Sequence, residues 1–373
     1  MKLIHTSDWQ LGKPFGRAPD HARGSLREAR LDAIDTIGAL AATEGAFVVV
    51  AGDVFDSPSP SDREIGNALS RMERQPSVRW YLLPGNHDPA RAEGLWSRVA
   101  RLNARNVILL HERTPVEVET DLFILPAPLM HRRSAGDPTA WLDGVETPRG
   151  ARRIGVAHGQ VLEFGGVDAD AQSLIARDRA VAAKLDYLAL GDRHIAQRVD
   201  AWTHHSGTPE PDDHGATGSV NLVELGGIGQ DPRVTLFPIA RHTWLRRTWA
   251  AASLEDVKRE ASRLDQEVDL TNLVFRLDLE GVVSIGARAE ILGYLEDVLS
   301  HQMRWLDVHD ERLICRPTDD DLGAIDAQGV LREAAERLRV LAGDGSVNAP
   351  LAQAALERLF REQVRASAVG AGA

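Results

Sequence analysis

The sequence predicts an α/β protein built on a mainly parallel, layered sheet, followed by a small α+β domain. Three observations predict it. Short runs rich in Val, Ile and Leu alternate with helical periodicities through the first part of the chain. Five of those runs end in Asp, Asn or His, and most of the turns that follow contain a glycine. The composition shifts near residue 240, after which a strand–helix–strand pattern appears.

Each element has a local reason. Leu3-Ile4-His5-Thr6 reads as a strand and ends at Ser7-Asp8-Trp9-Gln10. Residues 25–44 carry apolar positions at Leu26, Ala29, Ala33, Ile37 and Leu40, a helical spacing that Gly45 would close. Phe47-Val48-Val49-Val50 reads as a buried strand, stopped by Gly52, with Asp53 just past its carboxyl end. In an open α/β sheet ligands gather at that edge, so Asp53 is a helix cap or an ion ligand. A Ser-Pro-Ser-Pro-Ser turn at 57–61 opens a helix through Ile65 and Leu69. The strand from Val78 to Leu83 runs into Pro84-Gly85-Asn86-His87-Asp88.

Val107 to Leu110 and Leu122 to Leu125 read as further strands with a hairpin-like relation. Ile154 to Ala157 ends at His158-Gly159, and residues 173–184 are expected to be helical. Leu185 to Leu190 ends at Gly191-Asp192-Arg193-His194. The short β segments at 201–206, 219–225 and 234–239 are expected to form a second sheet. Beyond 240, a helix at 253–264, strands at 273–279 and 303–308 and a helix at 286–299 make a βαβ unit. Residues 328–341 and 350–366 read as two amphipathic helices, the first lined by Leu331, Leu338 and Leu341, the second by Leu351, Ala355, Leu359 and Phe360.

Bulk properties exclude several classes. A chain of 373 residues exceeds one ordinary core, so two or three domains are expected. No run approaches the roughly eighteen apolar residues a membrane span needs. The start, Met1-Lys2-Leu3-Ile4-His5, reads as a strand and not a signal peptide. One cysteine, Cys315, excludes an internal disulfide and a cysteine-based zinc site, and it is expected in the core. These features point to the cytoplasm. The net charge of −12 is spread evenly, which argues against strong non-specific nucleic-acid binding unless a local basic patch or bound cations provide it.

The chemistry lies in the five strand ends: Asp8-x-Gln10, Gly52-Asp53, Gly85-Asn86-His87-Asp88, His158-Gly159 and Gly191-Asp192-Arg193-His194. If the strands share one sheet, all five converge on its carboxyl edge. Carboxylates, an amide oxygen and imidazoles together suit Mn²⁺, Fe²⁺ or Zn²⁺, and Mg²⁺ less ideally. The candidates exceed what one ion needs and would serve two ions sharing a carboxylate.

With these motifs the sequence resembles the calcineurin-like metallophosphoesterases, and within them the SbcD-type DNA repair nucleases. The residues that carry this are 4–12, 51–56, 84–88, His158-Gly159 and 190–194, with Ser206-Gly207-Thr208-Pro209 after them. The resemblance covers about residues 1–240; the C-terminal third is similar only in layout. It implies a four-layer α/β/β/α sandwich over 1–240, a small α+β domain at 241–320 that caps the site or binds DNA, and a helical pair at 321–373 that either packs on that domain or docks a partner ATPase. It also implies two divalent ions, Mn²⁺ with Mg²⁺ or Fe²⁺ as alternatives. One would be held by Asp8, Gln10, Asp53 and His194, the other by Asp53, Asn86, His158 and Asp192. His87 would face the scissile phosphate, oriented by Asp88. The implied partners are DNA, an SbcC-like ABC-type ATPase and a second copy of the chain, with no membrane.

Two positions depart from the family pattern, which has histidine where Gln10 and Asp192 stand. Gln10 is a weak neutral donor, and Asp192 adds a hard, charged one. The expectation is a shift towards Mn²⁺ or Mg²⁺, or else a weakened or single-metal site. The functional expectation is two-metal hydrolysis of DNA, exo- or endonucleolytic. A small-molecule (cyclic nucleotide) phosphodiesterase and a non-catalytic DNA-binding scaffold are the alternatives. Lys13 and Arg17 could touch phosphates or simply be solvated. Arg241, Arg246 and Arg247 among Trp244 and Trp249 read as packing ahead of a nucleic-acid grip.

Overall fold

The computed structural model describes residues 1–132, 136–161, 173–227, 229–315, 330–356 and 358–359. The chain divides into two compact units, Met1–Trp244 and Leu245–Ala373.

The first unit begins with β1 (Lys2–Thr6), α1 (Asp20–Glu44), β2 (Phe47–Val50), α2 (Asp62–Glu73), β3 (Trp80–Leu82), α3 (Leu95–Leu102) and β4 (Val107–Leu109). A hairpin, β5 (Val116–Glu119) and β6 (Leu122–Ala127), follows, then β7 (Arg152–His158) and the short β8 (Gln160–Val161) and β9 (Leu174–Ile175). It closes with α4 (Arg179–Ala182), β10 (Tyr187–Gly191), β11 (Gln197–Arg198), β12 (Thr203–His205), β13 (Ser219–Glu224) and β14 (Arg233–Pro238). Two six-stranded sheets result, in the orders β14-β13-β1-β2-β3-β4 and β11-β12-β10-β7-β6-β5.

The apolar patterning explains the layers. Strands buried on both faces read as continuous hydrophobic runs. Leu3, Val49, Ala51 and Tyr81 of the first sheet interleave with Ile124, Val156, Tyr187 and Ala189 of the second. The opposite face of the first sheet, including Ile4, Val48 and Val50, packs on Ile34, Ile37, Ile65 and Met72 from α1 and α2. The opposite face of the second sheet, Leu125, Leu188 and Leu190, packs on Leu142 and Ala180. This is the expected four-layer sandwich. Burying Ile34 or Ile37 contributes about 1.5–3 kcal/mol each, so Ile37→Asp would break the outer layer. Gly45, at φ 62°, ends α1, and Ser61 with Glu64 forms a capping box on α2. A polar pin crosses the middle: His5 Nδ1 lies 2.9 Å from Tyr187 Oη, and His5 Nε2 lies 3.2 Å from the Leu190 carbonyl.

Four expectations are corrected. The five strand ends do not share one sheet: β1, β2 and β3 belong to the first, β7 and β10 to the second. The late β segments form no separate sheet, because β13 returns antiparallel to β1 and β12 pairs parallel with β10. Val107–Leu109 pairs parallel with β3, and the hairpin joins β5 to β6 through a turn in which Asp121 has φ 61°. Residues 173–184 hold the short strand β9 and one helical turn instead of a continuous helix.

The second unit contains strand β15 (Thr243–Ala250), which begins just before it, α5 (Leu254–Glu267), β16 (Leu273–Val283), α6 (Ile285–Tyr294) and β17 (Trp305–Cys315). β16 and β17 are parallel with α6 between them, the βαβ unit that the periodicity predicted. Phe275, Leu277, Leu279, Ile291 and Leu295 fill its core. Helix α7 (Val330–Gly343) and a helix beginning at 349 bury Ala335 and Leu356 against Ile285 and Cys315. Phe360 lies outside the described residues. Trp244 and Trp249 are buried, and Arg246 Nε bonds Asp278 Oδ2 at 2.7 Å, which favours packing for this cluster.

Candidate metal centre

The carboxyl ends of β1, β2, β3, β7 and β10 meet at one place. Asp8, Asp53 and His158 are buried there, with one ligand atom from each lying within 4.8 Å of the others. Four residues of the centre adopt left-handed backbone: Asp8 (φ 55°), Gln10 (φ 44°), Asp53 (φ 55°) and Asp192 (φ 83°). That conformation is unfavourable for residues with a Cβ and persists where the surroundings over-determine it. It turns each side chain off its strand end and into the space between the sheets' edges.

Two glycines make room. A Cβ at Gly52, itself at φ 94°, would lie 2.2 Å from His158 Nδ1. A Cβ at Gly85 would lie 2.2 Å from Asp53 Oδ1 and 2.5 Å from its backbone nitrogen. The glycines of the Gly-Asp and Gly-Asn-His-Asp motifs are therefore needed for close approach.

His158 is aimed by the backbone. Its Nδ1 lies 2.8 Å from the Ala51 carbonyl, so Nδ1–H donates there and Nε2 faces the site. Nε2 lies 3.1 Å from Asn86 Oδ1, 3.5 Å from Asp53 Oδ1 and 3.6 Å from Asp192 Oδ1. Burial opposes a charge on His158, but Asp53, Asp8 and Asp192 overcome it and lift its pKa to about 9. Burial pushes the Asp8 carboxyl up; His158 and His194 pull it back, and Asp53 adds to the rise. The Asp8 carboxylate accepts bonds from Ser7 Oγ (2.6 Å) and from the Asp192 N–H (3.2 Å). Buried carboxylates converging on one imidazole are the donor set of a divalent-cation site, and these residues fit one.

His194 lies beside Asp8, and the Gln10 backbone N–H donates to the Asp53 carbonyl at 2.9 Å, which makes these two the second flank of the centre. His194 Nε2 is 4.0 Å from Asp8 Oδ1 and 3.2 Å from Gln10 Nε2. Its Nδ1 lies 2.8 Å from Asp212 Oδ1. Asp212 had no signal in the sequence, because it sits in an irregular stretch between β12 and β13. Burial works against its charge, yet the His194 bond, Arg30 and Lys13 hold it well below the usual carboxylate range. Arg30, buried on α1, donates to the Trp9 carbonyl at 2.6 Å and lies 3.3 Å from Asp212 Oδ2. Burial opposes a charge on His194, but the Asp212 bond and Asp8 outweigh it and raise its pKa, while a proton on Nε2 would face the Gln10 N–H₂.

His87 is 30% exposed and lies at the rim. Its backbone N–H donates to Asp53 Oδ1 at 2.9 Å, and its Nδ1 lies 2.9 Å from the Asp56 carbonyl. Nε2 makes no hydrogen bond among the described residues; it lies 3.9 Å from Asp53 Oδ2 and so faces the centre. The expectation that Asp88 orients this ring is corrected. Both Asp88 oxygens are taken by backbone donors, Gly85 N–H at 2.7 Å and Phe55 N–H at 3.0 Å. Asp88 thus ties the β2 and β3 loops together, and burial followed by Asp53 raises its pKa well above the ordinary value. His204 and His205 are also buried, and His205 Nδ1 is held 3.1 Å from the Gly191 carbonyl.

A metallophosphoesterase is the class that this sandwich and this cluster define. Residues 1–160 match the model of the family described as calcineurin-like phosphoesterase. The chain is 28% identical over 288 residues to the SbcD component of the nuclease SbcCD from Rhodobacter capsulatus, covering 62% of this chain and 68% of that protein. It is 27% identical over 274 residues to the protein of the same name in Escherichia coli K12, covering 60% of this chain and 64% of that protein. The aligned stretches therefore span about two thirds of these relatives' lengths. No helix among the described residues is long and apolar enough to cross a membrane.

Proposed function

We propose that the chain is a divalent-metal-dependent phosphodiesterase that cleaves DNA, as the nuclease component of an SbcCD-like repair assembly. The observation that carries this reading is the buried Asp8–Asp53–His158 cluster with Asn86 in bonding range and His87 at its rim. Asp53, Asn86, His158 and Asp192 would hold one ion; Asp8, Gln10, Asp53 and His194 form the second position. Bound Mn²⁺ or a similar ion supplies an activated water and neutralises phosphate charge. The chain's own residues do the rest. Asp53 fixes His87 through the backbone bond, and Asp56 orients the ring. With Nδ1–H so engaged, Nε2 is the atom that meets the phosphate; with the ring as imidazolium its Nε2 proton passes to the leaving oxygen, and the neutral ring keeps Nδ1–H on the Asp56 carbonyl.

The similarity to SbcD proteins supports DNA as substrate, an SbcC-like ATPase as partner and the cytoplasm as location. Helix α7 and its neighbour leave Val330, Val340 and Leu351 exposed, which suits docking on an apolar partner surface. The second unit would then extend the substrate and partner surfaces.

The test is cleavage by the purified full chain with Mn²⁺. Single- and double-stranded DNA, a chromogenic phosphodiester and cyclic nucleotides are offered beside a His87→Ala control. DNA cleavage reduced about 10²–10⁴-fold in the control is the expected result. Equal cleavage by the control, or preference for cyclic nucleotides over DNA, would overturn it. No cleavage by either protein would favour the scaffold alternative.

A further inference from the structure

The two sides of Asp53 are built differently. Around His158 Nε2, three side-chain oxygens converge. On the Gln10 side the donors are already bonded to one another. Lys13 Nζ donates to Gln10 Oε1 at 2.8 Å and also to Asp212 Oδ2. Asp212 Oδ1 meets His194 Nδ1, and His194 Nε2 meets Gln10 Nε2. These four contacts close a ring of side chains.

The ring has a fixed polarity. An ammonium has donors and no acceptor, so the amide facing it must present its oxygen. Gln10 is thereby held with its N–H₂ towards His194, and an amide N–H₂ cannot ligate a cation. The same N–H₂ occupies the one lone pair that His194 has left for a metal. Arg30 holds Asp212 from behind, so the ring has a buried anchor.

We infer that Lys13 is a built-in cation of this centre. It stands in for a second divalent ion, so the chain holds one ion firmly, on the His158 side. A second ion enters only by displacing Lys13 from Gln10. Formal charge over the whole set agrees: Asp8, Asp53, Asp192 and Asp212 contribute −4, balanced by +2 from one ion and +1 each from Lys13 and Arg30, both of which face Asp212. The substitution of Gln10 and the added carboxylate of Asp192 then have one explanation. Negative charge and a hard donor strengthen the retained site, while the other site is given to a lysine.

This rests on the reading that the centre binds divalent cations, and the experiment separates the two. The metal-free full chain is titrated with Mn²⁺ and counted by calorimetry and electron paramagnetic resonance. Wild type should take one Mn²⁺ with a mononuclear signal, the second binding at least about 10-fold more weakly. Lys13→Met, which frees Gln10 Oε1, should tighten the second ion by about 10-fold or more, a factor of ten being about 1.4 kcal/mol. A signal from two coupled ions should then appear. Lys13→Gln, which keeps a polar side chain, serves as a second variant. Two ions of similar affinity in wild type would overturn the inference and leave the metal reading standing. So would a second affinity unchanged in both variants while the first ion still binds. Absence of any bound Mn²⁺ would overturn both.

Discussion

The His158 side and the Gln10 side of Asp53 use similar residue types to opposite ends. On the first, an imidazole nitrogen is pointed by a backbone carbonyl at oxygens from Asn86, Asp53 and Asp192, leaving like charges close together. On the second, a carboxylate, an imidazole, an amide and a lysine satisfy one another. The difference teaches that ligand-type residues alone do not make a metal position. What matters is whether their lone pairs are left in need of a cation. A satisfied network stabilises the metal-free fold, and an unsatisfied one is stable only with its ligand.

Asp53→Asn should erase the contrast, since Asp53 borders both sides. Mn²⁺ affinity should fall by more than the about 10–100-fold that loss of an outer partner costs. Calorimetry on the variant measures this. Metal-free stability at pH 7 should fall as well, because Asp53 is the foremost carboxylate holding the buried His158 charged and also accepts the His87 N–H. An unchanged melting temperature at pH 7 would show that Asp53 does not hold that charge.

Next in size is the pH dependence. His158 is raised to about 9 in the metal-free protein, and the ion must displace that proton. Mn²⁺ affinity should therefore rise about tenfold per pH unit towards pH 9 and flatten above it. The linked stability has the opposite sign. A raised histidine contributes stability that is full below its unfolded value of 6.5 and is lost as pH rises through 9. Metal-free melting curves from pH 6 to 10 test this, and a flat profile would contradict the charge assignment.

The smallest effect on metal should come from Asp212→Asn. It opens the ring without touching the His158 side, whose Mn²⁺ affinity should change by less than about threefold. Its cost falls on the fold, about 3 kcal/mol at pH 7, because Arg30 loses its buried partner. Since the Asp212 pKa is depressed, that contribution is full above the ordinary carboxylate value of 3.8 and is lost progressively as pH falls from there through the depressed folded value. Chemical denaturation at pH 7 and pH 3 measures the difference, and an equal cost at both would sink the ion-pair account.

Much of this was legible in the sequence because the motifs are local. Gly-Asp and Gly-Asn-His-Asp each carry their turn glycine beside their polar residues, and the structure shows a Cβ would collide at both Gly52 and Gly85. The alternation of strands and helices gave the layers. What was not legible depends on long-range pairing. Residues 219–225 look like any short strand, and nothing local says that they return beside β1. Asp212 lacks a pattern because its role is set by His194, Lys13 and Arg30, three residues from distant segments. Asp88 misled because adjacency to His87 suggests contact, whereas successive residues in a tight turn point apart, and its carboxylate caps backbone N–H groups instead.

The pairing of β1 with β13 also bears on how the protein is made. On a ribosome, Lys2–Thr6 emerges long before Ser219–Glu224 and waits for it before it has both neighbours. Closing so long a loop is slow compared with forming local helices. Asp8 precedes this delay, and Asp192 is delivered only by the second sheet. No short nascent segment contains the full set, so scavenging of metal during synthesis is disfavoured. An ion held by this set would join a chain whose two sheets have already met.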